Sequence, residues 1–135
     1  MPTASQTLRL TILSVALWIA ATAYIRLWPA ALTDPVTGPL GFVTTFPMAW
    51  LSVWLVLKLG GLAPRDLPTG AAIVGGLAMM IDGAALRFAP AVYGNNETVL
   101  RLGAAWLLWG YGVSFAIALF WARRSAMVER SVTTA

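Results

Sequence analysis

The sequence contains no cysteine and no histidine, and it carries few charges of either sign. Without cysteine there are no disulfides or thiolate metal sites, and without histidine the most common general base and metal ligand is missing. The familiar nucleophile-elbow and phosphate-loop motifs do not occur either. We therefore expect no metal, no cofactor and no enzymatic activity.

Charged residues make up 10% of the 135 residues, whereas a soluble domain carries about 25%. Instead, four apolar stretches lie at approximately residues 10–29, 41–62, 69–89 and 98–122. Each is long enough to cross the hydrocarbon core of a bilayer, which takes about 20 helical residues. The sequence thus predicts an all-α integral membrane four-helix bundle, with residues 1–135 forming a single transmembrane domain.

The first apolar stretch has some features of a cleaved signal peptide. Arg9 precedes it, and the small residues Ala21, Thr22 and Ala23 resemble a cleavage site. The apolar run continues past this motif as far as Trp28, which makes it longer than a usual signal sequence. We therefore expect this segment to be retained as the first span.

Lysine and arginine are distributed unequally between the two ends of the predicted spans. Six lie at the N-terminus, in the second loop and in the tail 123–135, against three on the opposite side: Arg9, Lys58, Arg65, Arg123, Arg124 and Arg130, against Arg26, Arg87 and Arg101. Because cytoplasmic segments carry the excess of positive residues, we expect both termini in the cytoplasm. The net charge of +4 then reflects orientation in the membrane and not nucleic-acid binding.

Two short motifs recur along the chain. Residues 26–30 and 87–91 both read Arg-x-x-Pro-Ala, and Ala-Trp-Leu occurs at 49–51 and again at 105–107. Duplication of a two-helix hairpin would leave this pattern. Chance similarity is the alternative, because the matches are short.

One carboxyl group lies well inside an apolar stretch. Asp82 is about six residues, or about 9 Å, from the end of the third span. A lone carboxylate at the centre of a span costs about 2.5–3.5 kcal/mol, so Asp82 needs a partner. We expect a polar cluster of Asp82 with Arg26, Arg87, Glu97 and Arg101, acting as a structural clamp or, alternatively, as a substrate site.

Aromatic residues are concentrated in the second and fourth spans. Trp50 and Trp54 lie one helical turn apart, and Trp106, Trp109 and Tyr111 are close together in sequence. Such a set could line a pocket for a lipophilic or cationic molecule. Helix packing and lipid contact are the more common roles of such residues.

Small residues recur in the third and fourth spans at positions suited to close helix contact. In lipid, helices associate through such residues because they let the backbones approach. The predicted packing residues are Gly75, Gly76, Gly110, Ser114 and Ala118. They would serve within the chain or, alternatively, between copies.

Residues 81–84, 88–93 and 103–112 resemble a family of small four-span bacterial membrane proteins that has no established function. The resemblance covers roughly the second half of the chain and implies a bacterial inner-membrane protein. It marks Asp82, Pro90 and Tyr93 as matching positions without giving them a role. In size and span number the chain also resembles small multidrug resistance transporters, but its first span lacks their acidic residue.

Two functions from different classes follow from these features. We expect a non-enzymatic accessory or structural component that contacts the lipid bilayer and packs with itself or with a larger membrane complex. The alternative is a small oligomeric transporter of a lipophilic or charged molecule, with Asp82 and the arginines at its site.

Overall fold

The structure, a computed structural model, describes residues 1–133. This part of the chain is all-helical, without strands, as the sequence predicts. The α-helices are α1 (Ala4–Leu27), α2 (Ala30–Thr33), α3 (Thr37–Gly60), α4 (Leu67–Phe88) and α5 (Glu97–Thr133). Two single-turn 3-10 helices, Pro64–Asp66 and Pro90–Val92, lie in the connections. The four long helices are each long and apolar enough to cross a membrane, which confirms the predicted four-helix bundle.

The long helices extend beyond the predicted apolar stretches at several ends. Helix α1 begins at Ala4 because Thr3 and Gln6 form a capping box, in which each side chain accepts a hydrogen bond from the other's backbone N–H. Helix α5 continues through the predicted tail to Thr133, because a charged segment can remain helical after it leaves the apolar core. The last two residues of that tail lie outside the described part.

The repeated Arg-x-x-Pro-Ala motif ends two helices in the same way. Trp28 after α1 has φ −132° and ψ 55°, and Ala89 after α4 has φ −142° and ψ 54°. Each precedes a proline, which disfavours helical geometry in the residue before it. A short helical turn follows Pro29, and another begins at Pro90. The two motifs thus share backbone geometry, while duplication of the hairpin stays a prediction.

The four long helices form a ring in the order α1, α4, α5, α3. Helix α1 packs mainly against α4, and α3 packs mainly against α5, so α1 and α5 stand diagonally opposite each other. Hydrogen bonds fix the two ends of the bundle. Gln6 Nε2 donates to the Gly61 carbonyl at 2.6 Å, and Arg26 Nη1 donates to the Val92 carbonyl at 3.3 Å.

The core contains two apolar clusters. One, near the chain's N-terminal end, includes Leu10 of α1, Val53 of α3 and Val74 of α4. The other, towards the opposite end, includes Ile25 and Val99. Asp82 follows the last α4 residue of the first cluster, Val74. Its polar neighbours Tyr93 and Tyr111 belong to the second cluster or pack against it. The outer surface is largely apolar, as expected for helices that face lipid.

Candidate functional site

Asp82 is buried within the bundle and accepts hydrogen bonds from three side chains. It is 5% exposed. The Tyr93 hydroxyl and the Trp18 indole both donate to Oδ1, the latter at 2.9 Å. The Tyr111 hydroxyl donates to Oδ2. We call Asp82, Trp18, Tyr93 and Tyr111 the aspartate cluster; it joins α4 to α1, to the loop after α4 and to α5.

Helix α1 contributes Trp18 from a stripe of residues that faces α4. Ser14, Trp18 and Thr22 are four residues apart and therefore lie on one side of the helix. Ser14 Oγ donates to the Val74 carbonyl of α4 at 2.8 Å. Two direct side-chain bonds, from Ser14 and from Trp18, thus fix the rotation and height of α1 against α4.

The loop after α4 carries Tyr93 back into the bundle. The 3-10 turn Pro90–Val92 reverses the chain. Gly94 then adopts φ +140°, a backbone conformation that residues with a Cβ rarely adopt. The Tyr93 side chain is consequently 1% exposed. Arg26 of α1 donates to the Ala91 and Val92 carbonyls and thereby attaches this turn to the end of α1.

Tyr93 is held in its neutral form. Burial, and next the hydrogen bond to Asp82, raise the pKa of Tyr93 from 10.0 to about 12. The phenol therefore keeps its proton across the physiological range and remains a donor to the Asp82 carboxyl group. Trp18 Nε1 lies 3.1 Å from the Tyr93 hydroxyl oxygen, which links two of the three donors to each other.

The partners of Asp82 differ from the arginines expected from the sequence. Arg26, Arg87, Glu97 and Arg101 are all exposed. Arg26 binds loop carbonyls, and the Arg87 guanidinium lies 5.8 Å from the centroid of the neighbouring Phe88 ring. The described bonds of Asp82 come from neutral donors instead, so no second charge is moved from the interface into the apolar interior.

Sequence reasoning overlooked all three partners of Asp82: Trp18, Tyr93 and Tyr111, the last of which was assigned to the aromatic pocket. The signal for Trp18 was the four-residue spacing of Ser14, Trp18 and Thr22 within an otherwise apolar span. The position of Tyr93 depends on the turn at Pro90, which reverses the chain only two residues after the end of α4.

The aromatic residues proposed to line one pocket are distributed over different depths. Trp106 contacts Tyr24 with ring centroids 5.0 Å apart, whereas the Trp109 indole donates to the Phe42 carbonyl at 2.9 Å. Trp50 contacts Trp121 instead, with centroids 4.6 Å apart.

Trp54 and Tyr111, the other two residues proposed for the pocket, also lie apart from Trp106 and Trp109. Trp54 is 43% exposed on the outer surface, and Tyr111 belongs to the aspartate cluster. The separation follows from the parallel arrangement of α3 and α5, in which later residues of α5 lie beside later residues of α3. The first turns of α5 lie beside the start of α3, whereas Trp50 lies in the half of α3 towards Gly60.

The small residues named for packing face both inward and outward. A Cβ on Gly75 would come within 2.9 Å of the Phe115 ring, and one on Gly110 would lie 3.7 Å from Thr45. Gly76 is different, because a Cβ there would meet nothing within 4 Å. The other two residues also make their contacts inside the chain: Ala118 is buried in the core, and the Ser114 hydroxyl donates to the Gly110 carbonyl.

Two surface clefts lie away from the aspartate cluster. One of about 240 Å³ is lined by residues of α3 and α5, and one of about 330 Å³ is lined mainly by the loop after α1. Asp82 lines neither cleft. Among the side chains that the structure describes, no three acidic groups come together in a way that could hold a metal ion.

Comparisons with known protein families, with curated proteins and with solved structures found no match to this chain.

Proposed function

We propose that this protein is a non-enzymatic structural or accessory component of a bacterial inner membrane, which packs with itself or with a larger membrane complex. The observation that carries this proposal is the complete engagement of Asp82 inside the bundle. Its carboxyl oxygens are bound by three donors, and its side chain is shielded from the surface. This arrangement supports a clamp that sets the register of the helices.

The transporter alternative has less support. A substrate or a coupling ion would have to reach the carboxyl group, and Asp82 is 5% exposed. Binding would also have to displace Trp18, Tyr93 or Tyr111, because these donors already occupy the carboxyl oxygens.

The outward face of α4 supports packing against another helix. Gly76 and Gly83 both have open space where a Cβ would stand, and Ala72 lies exposed one turn before Gly76. Small residues at this spacing let a second helix approach closely in lipid. The face also carries Met80, which is 74% exposed and adapts easily to an irregular partner surface.

The test is purification of the full chain in a mild detergent, with measurement of its oligomeric mass and identification of co-purifying proteins. We expect a defined oligomer or a stoichiometric partner, which Gly76→Leu should abolish by filling the open position. Gly112→Leu is the matched control, because Gly112 also has open space around it but lies on α5. A monomer without partners, or a retained small molecule that binds less tightly in Asp82→Asn, would contradict the proposal.

We also propose that both termini face the cytoplasm. The arginines and the lysine near the loop 61–66 and beyond the apolar part of α5 lie at the same end of the bundle as Met1, whose ammonium is 3.2 Å from Asp66. The positive-inside rule assigns this end to the cytoplasm.

Because the chain lacks cysteine, single substitutions report this orientation directly. A membrane-impermeant maleimide should label Asn95→Cys in intact spheroplasts and Ala63→Cys only after lysis. The reverse pattern would overturn the assignment.

A further inference from the structure

A cleft between α3 and α5 runs from the level of the loop 61–66 into the apolar part of the bundle. Its volume is about 240 Å³. Pro64, Arg124 and Ser125 line the part of the cleft at the level of the loop 61–66. Trp50 and Trp121 line the part of the cleft farther from this loop and contact each other edge to face. The cleft is therefore polar at one end and aromatic at the other.

The two parts of the cleft lie at different depths in the bilayer. Arg124 follows the uncharged stretch 102–122 by two residues, which puts its guanidinium near the headgroups. Trp50 precedes the end of α3 at Gly60 by ten residues, or about 15 Å along the helix. Leu57 and Phe120 add apolar surface to the cleft. An elongated amphiphile fits this gradient better than a compact polar molecule.

The charge around the cleft favours an anionic headgroup. Lys58, Arg65 and Arg123 are exposed at the same end of the bundle as Arg124. The nearest acidic side chain in the connecting loop, Asp66, is already occupied by the Met1 ammonium at 3.2 Å and by Arg65 at 4.0 Å. None of the described residues that line the cleft is acidic.

The remaining polar groups of the cleft leave Arg124 available for a ligand. The Ser125 hydroxyl donates to the Trp121 carbonyl at 3.0 Å, so it does not bind the arginine. No ion pair joins Arg124 to a side chain that the structure describes. A guanidinium of this kind donates well to a phosphate group.

We propose that this cleft binds one anionic phospholipid, with its phosphate on Arg124 and one acyl chain against Trp50 and Phe120. Basic pockets between transmembrane helices on the cytoplasmic side are suited to such headgroups. The ligand would fill the gap between α3 and α5 at the end of the bundle that carries the loop 61–66.

The experiment is a lipid titration of the purified full chain in detergent, followed by native mass spectrometry that counts bound lipid. Phosphatidylglycerol should bind with a stoichiometry of one, and phosphatidylcholine of the same chain length should bind clearly more weakly. This comparison uses the wild-type chain and does not depend on the folding of any variant. Equal binding of the two lipids would overturn the proposal.

Two matched variants locate the site. Arg124→Gln should weaken phosphatidylglycerol binding about fivefold, the loss expected for one basic residue near an anionic headgroup. Arg123→Gln removes the same charge from a position about 100° around the helix that does not line the cleft. Its binding should be unchanged. Equal losses in both variants would show that general surface charge, and not this cleft, attracts the lipid.

Two further measurements distinguish a lipid from a free phosphate. Phe120→Ala should weaken both lipids, because it removes the wall for the acyl chain. Glycerol 3-phosphate at millimolar concentration should not displace the bound phosphatidylglycerol. Displacement by glycerol 3-phosphate, together with unchanged binding in Phe120→Ala, would mean that the cleft recognises a soluble phosphate and would refute the lipid assignment.

Discussion

Replacing Asp82 with alanine removes an acceptor from three donors at once and therefore tests the clamp most directly. Tyr93 and Tyr111 would each keep a hydroxyl hydrogen without its acceptor, and Trp18 would keep only the Tyr93 hydroxyl oxygen at 3.1 Å. Side-chain hydrogen bonds between transmembrane helices contribute about 0.6 kcal/mol on average and at most about 1.7 kcal/mol. For three bonds on one carboxyl group, we expect Asp82→Ala to lower the free energy of unfolding by about 2–5 kcal/mol.

Replacing Asp82 with asparagine should lower the free energy of unfolding less than replacing it with alanine. Asp82→Asn keeps one carbonyl oxygen for the donors on Oδ1, and its new N–H₂ group can donate to the Tyr111 oxygen, which also accepts hydrogen bonds. We expect Asp82→Asn to be less stable than the wild type and more stable than Asp82→Ala. The order of the three proteins is the prediction, because a charged substrate site would not require it.

A double-mutant cycle isolates one bond of the cluster. Tyr111→Phe removes only the hydroxyl that binds Oδ2, so it should destabilise the wild-type background by about 0.6–1.7 kcal/mol. In the Asp82→Ala background the same change should cost much less, because its partner is already gone. Tyr24→Phe is the control, since the Tyr24 ring stacks on Trp106 and the described structure gives its hydroxyl no hydrogen bond.

The assay is reversible unfolding in mixed micelles, in which the SDS fraction is increased and unfolding is followed by circular dichroism. The wild type and the variants must share one slope, so that differences in midpoint report stability. Unchanged stability of Asp82→Ala, or an equal cost of Tyr111→Phe in both backgrounds, would refute the clamp.

Three further predictions use the same assay. Gly75→Ala should lose about 1–3 kcal/mol, because its new Cβ would lie 2.9 Å from the Phe115 ring, whereas Gly76→Ala should be neutral or slightly stabilising; equal effects at the two glycines would contradict this. The stability advantage of the wild type over Tyr93→Phe should be fully present below pH 10 and should fall as the pH rises towards 12, because the folded state binds the phenol proton more tightly; a constant difference across this range would show that the phenol is not perturbed. Ser14→Ala should cost about 0.6 kcal/mol by removing the bond to α4, and a stability equal to that of the wild type would argue against a direct contact there.

The membrane-spanning helices could be predicted because their signal depends on length and hydropathy alone. All four apolar stretches correspond to long helices. Their ends were less predictable, since capping and helix propensity continue a helix after the apolar residues stop. The capping box of Thr3 and Gln6 starts α1 at Ala4, whereas α5 continues past Arg123 and Arg124 because a charged segment can remain helical beyond the apolar core.

The depth of Asp82 could also be predicted, whereas its partners could not. Residue spacing gives the height of a side chain along its own helix, but not the rotation of the helix or the identity of its neighbours. Trp18 meets Asp82 only because α1 packs beside α4. Tyr93 depends in addition on a loop turn and on a glycine with positive φ.

The choice of neutral aromatic donors over arginines has a physical reason. An arginine drawn down to Asp82 would leave the headgroup region, and the pair would bear the desolvation cost of two charges. Tyrosine and tryptophan carry one donor at the end of an apolar ring, so they reach the carboxyl group while their rings pack in the core. Arg26 then remains at the interface and binds the carbonyls of the turn that positions Tyr93. Arg26, one of the arginines expected to pair with Asp82, therefore supports Asp82 indirectly. It holds the backbone of the turn that positions Tyr93, which donates to Asp82.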